Sequence, residues 1–388
     1  MFNRIINPTL KQTVEEFPVT VLTGPRQSGK TTVLKTLFPE FEYINLEAPD
    51  IRSRVQADPR DFFARRRPGW IIDEAQQYPE LFSYVHDFIE TQKHNTKWIL
   101  SGSQNFLLSA NISQSLAGRA AILELLPLTY SEYTTYPNIT AQNLWSYLYH
   151  GSYPRPYHEK MSINRWYNSY IMTYIERDVR SLIQIKNLNQ FQIFLQLCAG
   201  RHGQILNLNA IAQATGISQP AARQWLSILE ASYLVYLLRP YHQNFNKRII
   251  KSPKLYFYDS AIVCQLLGID SPEHLQFHAS RGAIFEGFIL SEIIKQSLAM
   301  GRPPRLYFWR DQTGHEIDGV IEKGPDNLGV EIKSTATFHP SLLKRLNDWA
   351  KISGTSTQNL YLVYAGDEAF TIKGINIIPW KQAVQLGA

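Results

Sequence analysis

Three groups of residues in this chain have the types and spacing for chemistry on phosphates. The first is Gly24-Pro25-Arg26-Gln27-Ser28-Gly29-Lys30-Thr31, which reads G-x-x-x-x-G-K-[ST]. Gly24 and Gly29 allow a tight backbone path around a polyphosphate. Lys30 reaches the β- and γ-phosphates in such a loop, and the Thr31 hydroxyl sits on Mg²⁺. Thr32 follows in the first helical turn. The second group closes Trp70-Ile71-Ile72-Asp73-Glu74, an apolar stretch ending in two acids. There Asp73 holds Mg²⁺ through water and Glu74 polarises the attacking water. An isolated Asp-Glu pair usually only starts a helix, but a phosphate loop upstream favours the catalytic reading. The third group is Glu286, Asp318, Glu331 and Lys333. On a strand, Glu331 and Lys333 share one face, and Asp318 on the strand before can join them. The carboxylates are hard oxygen ligands for Mg²⁺. Lys333 would position water or offset phosphate charge. The plainer alternative is a β-hairpin with ordinary charges on its wet face.

The elements that must hold the first two groups can be read from the flanking residues. Phe17 to Thr23 is apolar and β-branched, as a buried parallel strand should be. Thr31 to Phe38 reads as a helix stopped by Pro39. The loop therefore lies at a helix N-terminus, where backbone N–H groups favour an anion. Tyr43-Ile44-Asn45-Leu46 predicts a second strand, and alternating strands and helices over residues 1–130 predict a parallel α/β sheet. The strand from Lys97 ends in Ser103-Gln104-Asn105. Ligands bind at the carboxyl ends of such strands, so these three are candidates to sense a γ-phosphate or, equally, to cap the next helix. Arg119 precedes the strand Ala121–Leu125. It is a candidate arginine finger, in cis or from a neighbouring subunit, with a structural salt bridge as the alternative.

From 131 to 250 the pattern is mostly helical. An amphipathic stripe runs from Asn168 to Leu182 and includes Arg177, Asp178 and Arg180, a candidate lid. Leu206 to Arg239 reads helix, turn, helix, strand, with Ser218 as N-cap and Pro220 in the first turn. This resembles a winged helix-turn-helix. Its second helix offers Gln219, Arg223 and Gln224, which suit DNA contact or simple packing as a lid. Lys247 to Lys254 adds positive charge that suits a phosphate backbone or a solvated strand edge. From 251 to 388 the order is strand, helix, three strands, closing helix and further strands. The Asp then Glu-x-Lys arrangement resembles the PD-(D/E)xK nuclease fold, with Glu286 as the extra acid and Ile317 where the nominal proline would stand. A fold of that kind can cleave DNA or only bind it or a protein.

Gly-Pro-Arg-Gln-Ser-Gly-Lys-Thr-Thr, Ile-Ile-Asp-Glu-Ala-Gln, Leu-Ser-Gly-Ser, Leu-Ala-Gly-Arg and Pro127 to Tyr133 together resemble a group of prokaryotic AAA-type ATP-binding proteins. That group carries a C-terminal domain of unknown function, and the resemblance runs nearly the whole length. It implies an AAA-type core sheet, ATP as the nucleotide, and ring-forming homo-oligomers as an open option. Net charge is +6 over 388 residues, which permits a nucleic-acid partner without requiring one. Two cysteines, Cys198 and Cys264, leave no disulfide framework or Cys-rich zinc site. No apolar run approaches the ~18 residues of a membrane span, and the start lacks a signal-peptide core. A cytoplasmic protein with no membrane partner is expected. Its parts are an ATPase domain (1–130), a helical lid with a winged-helix-like segment (131–250) and a nuclease-like domain (251–388).

Overall fold

The computed structural model describes residues 2–65, 67–91, 96–103, 116–136, 143–174, 188–241, 251–324 and 326–387. Two compact units emerge. The first comprises 1–128 with 231–233 and 298–302, and the second holds the remainder.

In the first unit five short apolar segments form one parallel sheet. They are β1 (Val19–Thr23), β2 (Glu42–Asn45), β3 (Gly69–Asp73), β4 (Lys97–Gly102) and β5 (Ala120–Glu124), in the order β2-β3-β4-β1-β5. β1 and β3 are buried at every position, which is why they read as continuous apolar runs rather than alternating ones. Leu10 and Val14 of the first helix, with Ile6 just before it, pack with Val33 and Leu34 in one core. Phe63, Trp70, Phe82, Phe88 and Trp98 belong to the other. The helix after the phosphate loop spans Lys30–Leu37, within a residue of the expected one.

The second unit contains two sheets. β6 (Gln204–Ile205), β7 (Val235–Leu238) and β8 (Lys254–Phe257) pair antiparallel in the order β6-β8-β7. Helices Leu208–Thr215 and Gln219–Ala231 lie between β6 and β7 in the chain. Gly216 closes the first of them at φ 72°, a left-handed C-cap that suits glycine. Ser218 Oγ accepts from Ala221 N at 3.3 Å, the expected N-cap. Because β8 completes this sheet, the compact units do not follow a division at residue 250.

The larger sheet has β9 (Leu306–Arg310), β10 (Glu316–Ile321), β11 (Leu328–Lys333), β12 (Leu360–Tyr364), β13 (Phe370–Ile372) and β14 (Ile375–Pro379). Its order is β13-β14-β12-β11-β10-β9. β10 pairs antiparallel with both β9 and β11, whereas β11–β12 and β12–β14 are parallel. Helix Arg281–Ala299 precedes β9, and helix Lys344–Ser353 connects β11 to β12. Cys198 and Cys264 are buried free thiols. Among the described residues no helix is long and apolar enough to cross a membrane. The candidates Gln104, Asn105, Arg177, Asp178, Arg180 and Lys247 to Ile250 lie outside the described residues.

Candidate functional sites at two sheet edges

The phosphate loop leaves the carboxyl end of β1. Gly24 has φ 145° and Gly29 φ 98°, values that L side chains rarely adopt. A Cβ on Gly24 would overlap the backbone carbonyl of Leu125. Pro25 is buried, Arg26 half-buried and Gln27 exposed. The buried Ser28 hydroxyl has no hydrogen-bond partner among the described residues. Lys30 folds back on the loop and donates to the carbonyls of Gly24 (2.8 Å) and Pro25 (2.9 Å). Thr31 follows in the first turn, with Thr32 exposed beside it.

Topology then brings β3 and β4 to the same place. The Thr31 hydroxyl donates to Asp73 Oδ2 at 2.6 Å. Tyr43 OH donates to the same oxygen at 2.9 Å. Ser101, on β4, donates to Asp73 Oδ1, which also accepts from Glu74 N at 3.2 Å. Burial, then the Asp73 charge, pushes the Tyr43 phenol well above its ordinary range, so Tyr43 remains a donor. Glu74 has φ 53° and ψ 44°, uncommon for a non-glycine residue and a form of strain that concentrates at functional sites. Its Oε2 accepts from Gln76 Nε2 and from Ser103 Oγ, the latter at 3.4 Å. Lys30, Thr31, Asp73, Glu74 and Ser103 are thus gathered by three adjacent strands.

Sequence reasoning missed three residues here. Ser101 and Tyr43 carry only a weak signal, a hydroxyl in an otherwise apolar strand. Arg4 carries none. It is buried, with Nη1 donating to Ser28 O at 2.8 Å and Nη2 to Leu126 O at 2.6 Å, so it fixes the phosphate loop from behind its backbone.

Arg119 requires a correction. It immediately precedes β5, whose Ala120 pairs with Val19 at the start of β1. The phosphate loop leaves the opposite end of β1, roughly 16 Å away at strand rise. That position speaks against a finger in cis and fits the alternative of a structural salt bridge. Arg119 instead pairs with Glu90 at 2.6 Å, both side chains substantially exposed.

In the second unit the carboxylates meet where the β10 ladder breaks. The β9–β10 register shifts between Ile317 and Val320, a bulge of the kind that re-aims side chains. The β10–β11 pairing ends at Gly319–Val330. Ile332 N then donates to Asp318 Oδ2 at 2.9 Å. Lys333 Nζ pairs with Glu331 Oε1, lies 3.6 Å from Asp318 Oδ2 and donates to Ile332 O at 3.2 Å. Arg345, from the helix after β11, approaches Asp318 Oδ1 at 3.5 Å and Glu331 Oε1 at 3.4 Å.

Glu286 was expected to complete a three-acid metal site. Its carboxylate is instead engaged by Lys254 at 3.1 Å and by Tyr256. Among the described residues no three His, Cys, Asp or Glu side chains are grouped to hold a metal. Lys254 is neither a solvated strand edge nor open to a phosphate backbone. It is buried and also pairs with Glu316 at 2.6 Å. Burial opposes its charge, but Glu286, Asp318 and Glu316 together outweigh that and raise its pKa. Burial, then Asp318, raises the Glu331 carboxyl against the pull of Lys333 and Arg345. Burial, then Asp318, likewise raises Glu286 against Lys254 and Tyr256.

Asp318 and Glu331 nevertheless present the donor chemistry a hard divalent cation takes. Glu331 Oε2 is buried with no hydrogen-bond partner among the described residues. Arg345 was not singled out from the sequence, because it lies in a run of mixed polarity that reads as solvated surface.

Residues 16–134 match the family described as "AAA domain", 141–273 match a domain of unknown function (DUF8612) and 281–383 another (DUF4143). Uncharacterized protein Rv2008c of Mycobacterium tuberculosis is 30% identical over 386 residues, covering 98% of this chain and 84% of that protein. Uncharacterized protein MJ1544 of Methanocaldococcus jannaschii is 20% identical over 408 residues, covering 95% and 86%. Among solved structures, the Walker-type ATPase PABY2304 of Pyrococcus abyssi is 16% identical with a TM-score of 0.45, covering 69% of this chain and 96% of that one. The chain therefore belongs to the family of Rv2008c, as an AAA-type ATP-binding protein with a P-loop ATPase domain.

Proposed function

We propose that this protein hydrolyses ATP with Mg²⁺ at the β1 loop, and that its C-terminal sheet carries a nuclease-like site acting on DNA. The observation that carries the ATPase reading is the Lys30–Thr31–Asp73–Glu74 constellation at the carboxyl ends of β1 and β3. Lys30 is within its own loop's reach, so on ATP binding its ammonium exchanges two carbonyls for β- and γ-phosphate oxygens. Ser28 and the loop N–H groups line the phosphate path. Thr31 and Asp73 are the residues that would hold Mg²⁺, which when bound offsets charge on the β- and γ-phosphates. Ser101 and Tyr43 orient the Asp73 carboxylate. Glu74, held by Gln76 and Ser103, orients and polarises the attacking water. Arg119 acts on nucleotide only from a neighbouring copy in a homo-oligomer.

Glu74→Gln keeps the shape of the side chain but not its basicity. It is expected to bind a fluorescent ATP analogue as wild type does, while steady-state phosphate release falls by about a hundredfold. Unchanged turnover would remove Glu74 from the mechanism.

The nuclease-like reading is supported by the helix–three-strand–helix–strand order around Asp318, Glu331 and Lys333, with Lys333 poised beside both acids. The helix–turn–helix between β6 and β7, with Gln219, Arg223 and Gln224 exposed on its second helix, supports a winged helix as the DNA contact. If the site cleaves, plasmid nicking with Mn²⁺ appears in wild type and disappears in Asp318→Ala while ATP turnover survives. A second reading is a nucleotide-dependent switch that binds DNA or a protein without cutting. The internal cations already paired with each acid favour it, and ATP turnover with no Asp318-dependent nicking would select it.

A further inference from the structure

We propose that Arg345 is a resident cation that closes the Asp318–Glu331 pair, and that it swings into the adjoining cavity to admit a divalent cation. The inference rests on the metal-site reading of these two acids and adds a gate to it. One guanidinium nitrogen of Arg345 spans both carboxylates, at 3.5 Å and 3.4 Å. Charge-assisted contacts usually lie near about 2.7–2.9 Å, so the closure is loose. Glu331 itself is fully buried, and its Oε2 has no hydrogen-bond partner among the described residues. Leaving such an oxygen unpaired is costly, and a cation entering between the acids would pair it.

Arg345 is also free to leave. Its side chain is 47% exposed, so withdrawal opens no core. It lines a cavity of about 300 Å³ together with His315, Glu316, Lys344 and Asp348. Asp348 stands three residues along the same helix, within pairing distance on one helical face. Glu316, although already paired with Lys254 and 3.5 Å from Arg310, puts a second carboxylate on the cavity wall. A displaced guanidinium therefore exchanges two buried acids for two more accessible ones. Lys333 also faces both acids, pairing with Glu331 Oε1 and lying 3.6 Å from Asp318 Oδ2, so the entering cation takes the place of Arg345 and meets the other Glu331 oxygen, Oε2.

Terbium luminescence tests the gate without turnover. Tb³⁺ takes hard oxygen ligands, and Trp309 and Trp349 line the same cavity as sensitisers. Arg345→Ala is expected to bind Tb³⁺ roughly tenfold more tightly than wild type, as removal of one competing charge near the surface should allow. Arg345→Lys should stay near wild type. Asp318→Ala should abolish the signal in either background. Thermal melting checks that each variant is folded, and Arg345→Gln carries the same expectation should the alanine variant unfold. Equal or weaker Asp318-dependent binding in the neutral variants overturns the gate but leaves the metal site. No Asp318-dependent signal in any protein overturns the metal site and the gate with it.

Discussion

Lys30→Ala lowers ATP turnover by roughly a thousandfold, at the upper end of what one preorganised electrostatic donor contributes. The ammonium is buried and held by two carbonyls of its own loop. Those carbonyls keep it next to the phosphate path before nucleotide arrives, so little reorganisation is needed at the moment of reaction. Its removal takes away positive charge that grows in value as charge develops on the γ-phosphate, and it leaves the Gly24 and Pro25 carbonyls with one donor fewer. Both kcat and nucleotide affinity therefore fall. Phosphate release over a range of ATP concentrations, with binding of a non-hydrolysable analogue measured separately, checks this. A variant that binds and hydrolyses ATP as wild type does would show that the loop is not the catalytic centre.

Arg4→Met is expected to destabilise the first unit by about 3 kcal/mol. The estimate counts two buried carbonyls, Ser28 O and Leu126 O, each losing a charged donor at about 1–3 kcal/mol. Methionine fills much of the volume, so the loss is polar rather than a cavity. For a unit of this size the melting temperature should drop by about 10 °C. Arg4 touches the loop backbone and is a positioning residue. Its loss should therefore raise the KM for ATP more than it lowers kcat, and Arg4→Lys should recover part of both. A melting temperature within a degree of wild type, with an unchanged KM, would remove it from that role.

Local spacing determined much of the ATPase part. A G-x-x-x-x-G-K-T run has its meaning within eight consecutive residues, and the flanking strand and helix follow from apolar periodicity over a dozen more. The apolar run before Asp73 likewise marks a buried parallel strand whatever its neighbours. The Glu331–Lys333 pairing followed from strand alternation alone.

Contacts across the fold had no such local signature. Arg4 reaches a carbonyl 122 positions away, and nothing in Phe2-Asn3-Arg4-Ile5 marks it. Arg119 could be read as a finger or as a structural salt bridge until parallel pairing put it beside the start of β1, at the opposite end of the strands from the nucleotide loop. Strand alternation brought Asp318 near Glu331, but the bulge at Ile317–Val320 broke the ladder and gave Asp318 the Ile332 N–H. Glu286 went to Lys254 and Tyr256 because β8 presents both side chains to its carboxylate. A sequence of side chains states what each can donate or accept. The topology decides which buried acid meets which buried cation, because the cost of an unpaired charge is set by everything packed around it.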